Sequence, residues 1–150
     1  MQQSYDWNNN IIQFEDKYCN KFSLQLRGKI TIVTGDSASG KTLLCNKLKS
    51  IKHDKNLSKQ IYRADNIFLV NDDNIDALIN QKKKLIIIDR AEQILTSDIV
   101  DSINQDKDNR FLIFTRKPIG IIATPNHFAE MQLINGELTL QYKFNVRGWC

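Results

Sequence analysis

Long apolar runs are missing from this chain. Nothing approaches the ~18 residues of a membrane helix, and the polar start MQQSYDWNNN lacks a secretion signal's charged-then-apolar layout. Cysteine is scarce as well. Cys19, Cys45 and Cys150 are too few and too scattered to frame disulfides or a metal knuckle. They read as reduced thiols, and the expected location is cytoplasmic. Both prolines fall in one stretch, "RKPIGIIATPNHFAE", which reads as a loop with a short helix near its end. No internal repeat and no low-complexity linker divides the chain. Aromatics do not alternate with basic residues along the sequence, so no base-stacking segment is visible.

What is present fits one domain spanning 1–150, with 1–10 as a flexible leader. Composition, 41% hydrophobic and 25% charged, is that of an ordinary soluble globular chain. Net charge is +4 and the pI about 9.0, which suits a phosphate-bearing ligand and leaves nucleic acid open as a partner. The cluster Lys82 to Lys84 precedes an apolar run and reads as a solvated strand entry.

The patterns alternate between strand and helix. "IIQFEDKY", "KFSLQL", "KITIV", "QIYRAD", "KLIIID" and "RFLIFT" read as strands. Lys41 to about Lys52 places Leu43, Leu44, Leu48 and Ile51 on one helical face. "NDDNIDALINQ" and "TSDIVDSINQ" read as helices, with Thr96 and Ser97 as cap candidates for the second. "MQLINGELTLQYKF" alternates around Asn135-Gly136, a strong hairpin signal. Together they predict a three-layer α/β fold with a mostly parallel central sheet, antiparallel edge strands and a C-terminal hairpin.

"GDSASGKT", Gly35 to Thr42, matches G-x-x-x-x-G-K-[ST] at every position, between an expected strand and an expected helix. Gly35 and Gly40 let the backbone approach phosphate oxygens without a Cβ clash. The amides of Asp36, Ser37, Ala38, Ser39, Gly40, Lys41 and Thr42, continuing to Leu43, form a concave positive surface at the helix start. Lys41 adds charge on the β- and γ-phosphates, and the Thr42 hydroxyl is a ligand for Mg²⁺. Asp89, closing "KLIIID", is the expected second metal ligand; the alternative is an Asp capping the next helix.

These residues resemble a P-loop NTPase, and the layout is similar to a reduced ABC/AAA-like ATPase core of the additional-strand branch. "FSLQLRGKITIVTGDSASGKTLLCNKL" resembles the start of an ABC core, "FLIFTR" its sensor strand, and "HFAEMQLINGEL" its closing hairpin. The resemblance implies ATP with Mg²⁺ as cofactors and an ATPase or nucleotide-dependent switch, with a protein partner or second copy able to complete the site. The departures bear on chemistry. The stretch from Leu57 to Lys84 holds no glycine, so the signature motif of the ABC helical subdomain has no counterpart. Thr115-Arg116 stands where an ABC ATPase carries histidine, and Arg90 where it carries glutamate.

Arg90 cannot accept a proton from water, because its guanidinium stays protonated. The nearest carboxylate is Glu92, either a base or a solvated helix-starting residue. Thr115 can bond water or γ-phosphate, or simply satisfy backbone; Arg116 is an arginine-finger candidate or a surface residue. Lys41, Glu92, Thr115 and Arg116 are thus the catalytic candidates. Two alternatives stand beside the ATPase: a small-molecule kinase using Asp65 toward an acceptor hydroxyl, and a non-hydrolysing nucleotide-binding module. The absence of an Asn-Lys-x-Asp motif favours ATP over GTP.

Overall fold

The computed structural model describes residues 2–16, 20–34, 40–53, 62–117, 120–121 and 128–142. Among these, eleven strands and three α-helices occur in the order β1 (Gln2–Gln3), β2 (Tyr5–Asp6), β3 (Ile11–Glu15), β4 (Lys21–Gln25), β5 (Ile30–Val33), α1 (Lys41–His53), β6 (Tyr62–Arg63), β7 (Ile67–Val70), β8 (Leu85–Ile88), α2 (Ala91–Ile94), α3 (Ser97–Gln105), β9 (Arg110–Phe114), β10 (Phe128–Ile134) and β11 (Glu137–Tyr142). A 3₁₀-helix at Ile75–Asn80 lies between β7 and β8.

Nine strands form one mixed sheet, ordered β2-β3-β4-β11-β10-β5-β9-β8-β7. The run β10-β5-β9-β8-β7 is parallel throughout, whereas β2–β3, β3–β4 and β10–β11 are antiparallel. The sheet nearly closes on itself. β1, which leads into edge strand β2, pairs with β6, which leads into edge strand β7. Ser4 N and Oγ both donate to Arg63 O, at 2.7 and 2.8 Å, and Asn66 Nδ2 donates to Tyr5 O at 2.8 Å. Lacing the two edges satisfies donors and acceptors that an open sheet would leave bare.

This architecture corrects the expected three-layer, mostly parallel fold. The protein is strand-rich with few helices, and its sheet is a mixed, barrel-like surface. Two physical reasons account for the difference. The residues read as a flexible leader form β1 and β2, with Ser4 and Tyr5 fully buried, and they bridge the sheet's two edges. The C-terminal hairpin does not sit at an edge, because β11 also pairs in parallel with β4. The hairpin turn itself lies at Asn135-Gly136, whose φ values of 51° and 79° suit Asn and Gly.

Period-two alternation assigns each strand's side chains to two cores. Leu85 and Ile87 of β8 join Leu112 and Phe114 on one face, where α1 inserts Leu44 and Leu48. Ile86 and Ile88 join Ile113, Phe111 and Ile103 of α3 on the other. The continuous apolar run of "LIII" is what burial on both faces requires. β3 and β4 alternate buried and more exposed residues, because only their inner face is covered. Thr96 caps α3 by accepting from Ile99 N at 3.4 Å. Among the described residues, no helix is long and apolar enough to cross a membrane.

Candidate functional site

The parallel strands β5, β9 and β8 end side by side, and the residues just beyond them meet at one edge. α1 begins at Lys41, and β8 ends just before Asp89. Lys41 Nζ lies 3.2 Å from Asp89 Oδ1, with side-chain exposures of 16% and 33%. The pair has the distance of an ion pair but not the angle of a hydrogen bond. Asp89 Oδ1 is buried and accepts no hydrogen bond among the described residues. A buried carboxylate oxygen without such a bond is costly unless charge compensates it. Lys41 supplies that charge here, and a divalent cation would do so more strongly.

Glu92 reaches the same edge. The chain leaves β8 through Arg90, which is exposed and left-handed at φ 51°, ψ 49°, and turns into the single-turn helix α2. This turn aims Glu92 toward the end of β9, where its Oε2 accepts from Arg116 N at 3.4 Å. Burial is the largest single influence on Glu92 and raises its pKa. Hydrogen bonds from its own amide and the Arg116 amide, the nearby Thr115 hydroxyl and the Lys41 charge together outweigh it. The carboxyl therefore titrates below its usual range. The one hydrogen of the Thr115 hydroxyl is already donated to Lys117 O at 2.7 Å. The two backbone amides are therefore the firmer cause.

The remaining expected positions divide clearly. Gly35, Asp36, Ser37, Ala38 and Ser39 lie outside the described residues. Gly40 packs so closely on β11 that a Cβ would come 2.6 Å from Leu138 Cδ1. Its carbonyl accepts the first bond of α1, from Leu44 N at 2.9 Å. Thr42 is exposed on the first helical turn, Leu43 packs against the inner core, and only the Leu43 backbone can face a ligand. Thr115 is buried at the β9 end and Arg116 is exposed beside it. Asp65 belongs elsewhere: it sits before β7, at the opposite edge, held by Arg63 at 2.8 Å and Gln3 at 3.4 Å. Asp65, the residue expected to serve a kinase, thus lies away from the Lys41–Asp89 edge.

Sequence reasoning missed β7 and the turn after it. The run Ile67-Phe68-Leu69-Val70 is a buried-strand signal, overshadowed by the more polar "QIYRAD" before it. Beyond β7, Asn71 and Asp72 join Cys45, Lys49 and Arg90 around a cavity of about 120 Å³ beside Asp89. Burial, with Asp89 nearby, pushes the Cys45 thiol up to about 11, so it stays protonated and is no nucleophile. Among the described residues, no group of three or more His, Cys, Asp or Glu gathers. A metal here would take most of its ligands from phosphate and water, as Mg²⁺ commonly does.

No known protein-family model matches this chain, and no curated protein matches its sequence significantly.

Proposed function

We propose that the chain binds a nucleoside triphosphate with Mg²⁺, ATP in the first instance, at the edge where Lys41, Asp89, Glu92 and Thr115 meet. It then acts as a weak ATPase or nucleotide-dependent switch. The observation that carries this reading is the 3.2 Å contact between Lys41 and Asp89 at the end of "GDSASGKT". In a nucleotide complex Lys41 exchanges Asp89 for the β- and γ-phosphates, which frees Asp89 Oδ1 toward the metal. Thr42 and Asp89 would hold Mg²⁺, which supplies charge neutralisation at the phosphate oxygens.

Glu92 is ionised but a poor base, because the bonds that orient it also lower its proton affinity. In this reading it orients groups near the γ-phosphate without driving proton transfer, so slow turnover is expected. Relation to P-loop ATPases rests on the loop motif and the strand-ending Asp89. A non-hydrolysing module is favoured by the same depressed basicity of Glu92.

Calorimetric titration with ATP, GTP and ADP, with and without Mg²⁺, followed by product analysis of the same samples, tests the proposal. Saturable, Mg²⁺-dependent ATP binding that weakens about tenfold or more in Lys41→Ala is expected, with ADP accumulating over hours. Binding without any ADP would leave the non-hydrolysing module. No binding at millimolar nucleotide would sink both.

A further inference from the structure

The opposite edge of the same parallel strands carries a second, unassigned site. Pairing of Ile30 with Phe111 and of Leu85 with Arg110 brings Lys29, Arg110 and Lys84 to the entrances of adjacent strands β5, β9 and β8. Neighbouring strands lie about 4.8 Å apart, so these residues succeed one another across the edge, with Lys84 Nζ donating to Asp65 O. Lys83 and Lys107 flank them. In the sequence the residues are dispersed; the register assembles them.

Trp7, delivered by the strand-forming N-terminus, lies across this row. The Arg110 guanidinium stacks 4.1 Å from the Trp7 ring centroid, and Lys83 Nζ lies 6.0 Å from it. Arg110 Nη1 donates to Tyr5 Oη at 3.0 Å and to Trp7 O. Among the described residues its Nε and Nη2 donate to nothing, so an immobilised guanidinium keeps one edge of its fork unspent. Lys29 Nζ gives one hydrogen to Asn104 O at 3.1 Å. Lys82 is matched by Asp108 at 2.9 Å and Arg63 by Asp65 at 2.8 Å. Lys29, Lys83, Lys107 and Arg110 form no ion pair among the described residues. A cavity of about 330 Å³ opens between Trp7, Gly28, Lys29, Lys107 and Arg110, with Asp108, itself paired with Lys82, also on its wall, within the size range of ligand sites.

We infer that this edge docks single-stranded nucleic acid, with the Arg110 fork and flanking lysines on phosphates and the Trp7–Arg110 stack as platform for an unpaired base. A planar guanidinium with a free edge matches phosphate geometry. A row of cations, in place of one pocket, matches a polymer of phosphates. The flat aromatic stack selects strands whose bases are exposed. The site is independent of the nucleotide reading, because Lys29, Arg110 and Lys84 precede the strands whose far ends carry Lys41 and Asp89.

Fluorescence anisotropy of the full chain with a labelled oligothymidine of about 12 nucleotides, across about 50 to 200 mM salt, provides the test. Binding should weaken with salt with a log–log slope of about −2 to −3, for three to four phosphate contacts. Lys83→Glu with Lys107→Glu, both exposed, should weaken binding at least about tenfold and flatten the slope by about one or more. Arg110→Lys, which keeps the charge but loses the fork, should also weaken it. Lys41→Ala should leave it unchanged, separating this site from the nucleotide site. Absent or salt-independent binding overturns the proposal. So does an equal loss in Lys21→Glu, a charge reversal elsewhere on the surface. Equal competition by polyglutamate would replace it with an acidic-polypeptide surface, and equal competition by inorganic phosphate with a single-anion site.

Discussion

Glu92 Oε2 accepts the Arg116 amide at 3.4 Å, tying the segment that leaves β8 to the end of β9. This contact brings a carboxylate to the Lys41–Asp89 edge and at the same time lowers its basicity. Replacing Glu92 with Gln should therefore cut ATP turnover less than about tenfold. Loss of a true general base costs about 10² to 10⁴ in rate. Single-turnover ADP formation separates the two, and a drop of about 10³ would restore Glu92 as the base.

The same residue has a signature in stability. A carboxyl whose folded-state pKa lies below its unfolded value stabilises the fold above about pH 4.3, the ordinary glutamate value, and loses that contribution as pH falls through the folded value. Urea unfolding of wild type minus Glu92→Gln should give a difference that is largest near neutrality and shrinks in acid. A difference that grows toward low pH would contradict the direction assigned to Glu92.

Lys41→Ala separates binding from folding. The Lys41–Asp89 pair is partly exposed, and pairs of that kind contribute about 0–1 kcal/mol. Thermal midpoints should fall modestly, because Asp89 Oδ1 stays buried without its compensating charge. Mg²⁺-ATP affinity should fall by about tenfold or more, since charge-assisted hydrogen bonds contribute about 1.5–3 kcal/mol. Unchanged calorimetric affinity would remove Lys41 from the site.

Gly40 and Leu138 are coupled by a distance. A Cβ at position 40 would stand 2.6 Å from Leu138 Cδ1, and Leu138 is 1% exposed. Gly40→Ala should cost about 1–3 kcal/mol through overpacking. In the double variant with Leu138→Ala the clash disappears, so chemical denaturation should give a total clearly below the sum of the single effects. Additive losses would mean that Leu138 rotates away freely.

Tyr5 tests whether the N-terminus belongs to the folded body. It is fully buried, and its hydroxyl donates to Asn10 Oδ1 at 2.6 Å. Tyr5→Ala should cost about 3–5 kcal/mol, the range for large aromatic truncations. A loose leader would register almost nothing in the same denaturation curves.

Much of the secondary structure was legible along the chain. The apolar face of α1, the capped start of α3, the β-branched runs of β5 and β8 and the Asn-Gly turn are all local signals, and each has its counterpart in the structure. β7 escaped because four apolar residues between polar turns are ambiguous without their neighbours. At the candidate site, Lys41 and Asp89 were readable because each ends or begins an element. The orientation of Glu92 was not, since it depends on the left-handed turn at Arg90.

Local patterns along the chain mark candidate chemical residues and the starts of strands and helices, because charge, apolar periodicity and capping act over a few residues. The tertiary structure decided how the strands associate. Edge hydrogen bonds from β1 and Ser4 to β6 bridge the sheet's two edges, and the second ladder of β11 places the hairpin inside it. Pairings between residues far apart leave no local trace, because a strand's outer edge can satisfy its backbone with many partners. The same long-range register sets Lys41 against Asp89 at one edge and gathers dispersed cations around Trp7 at the other.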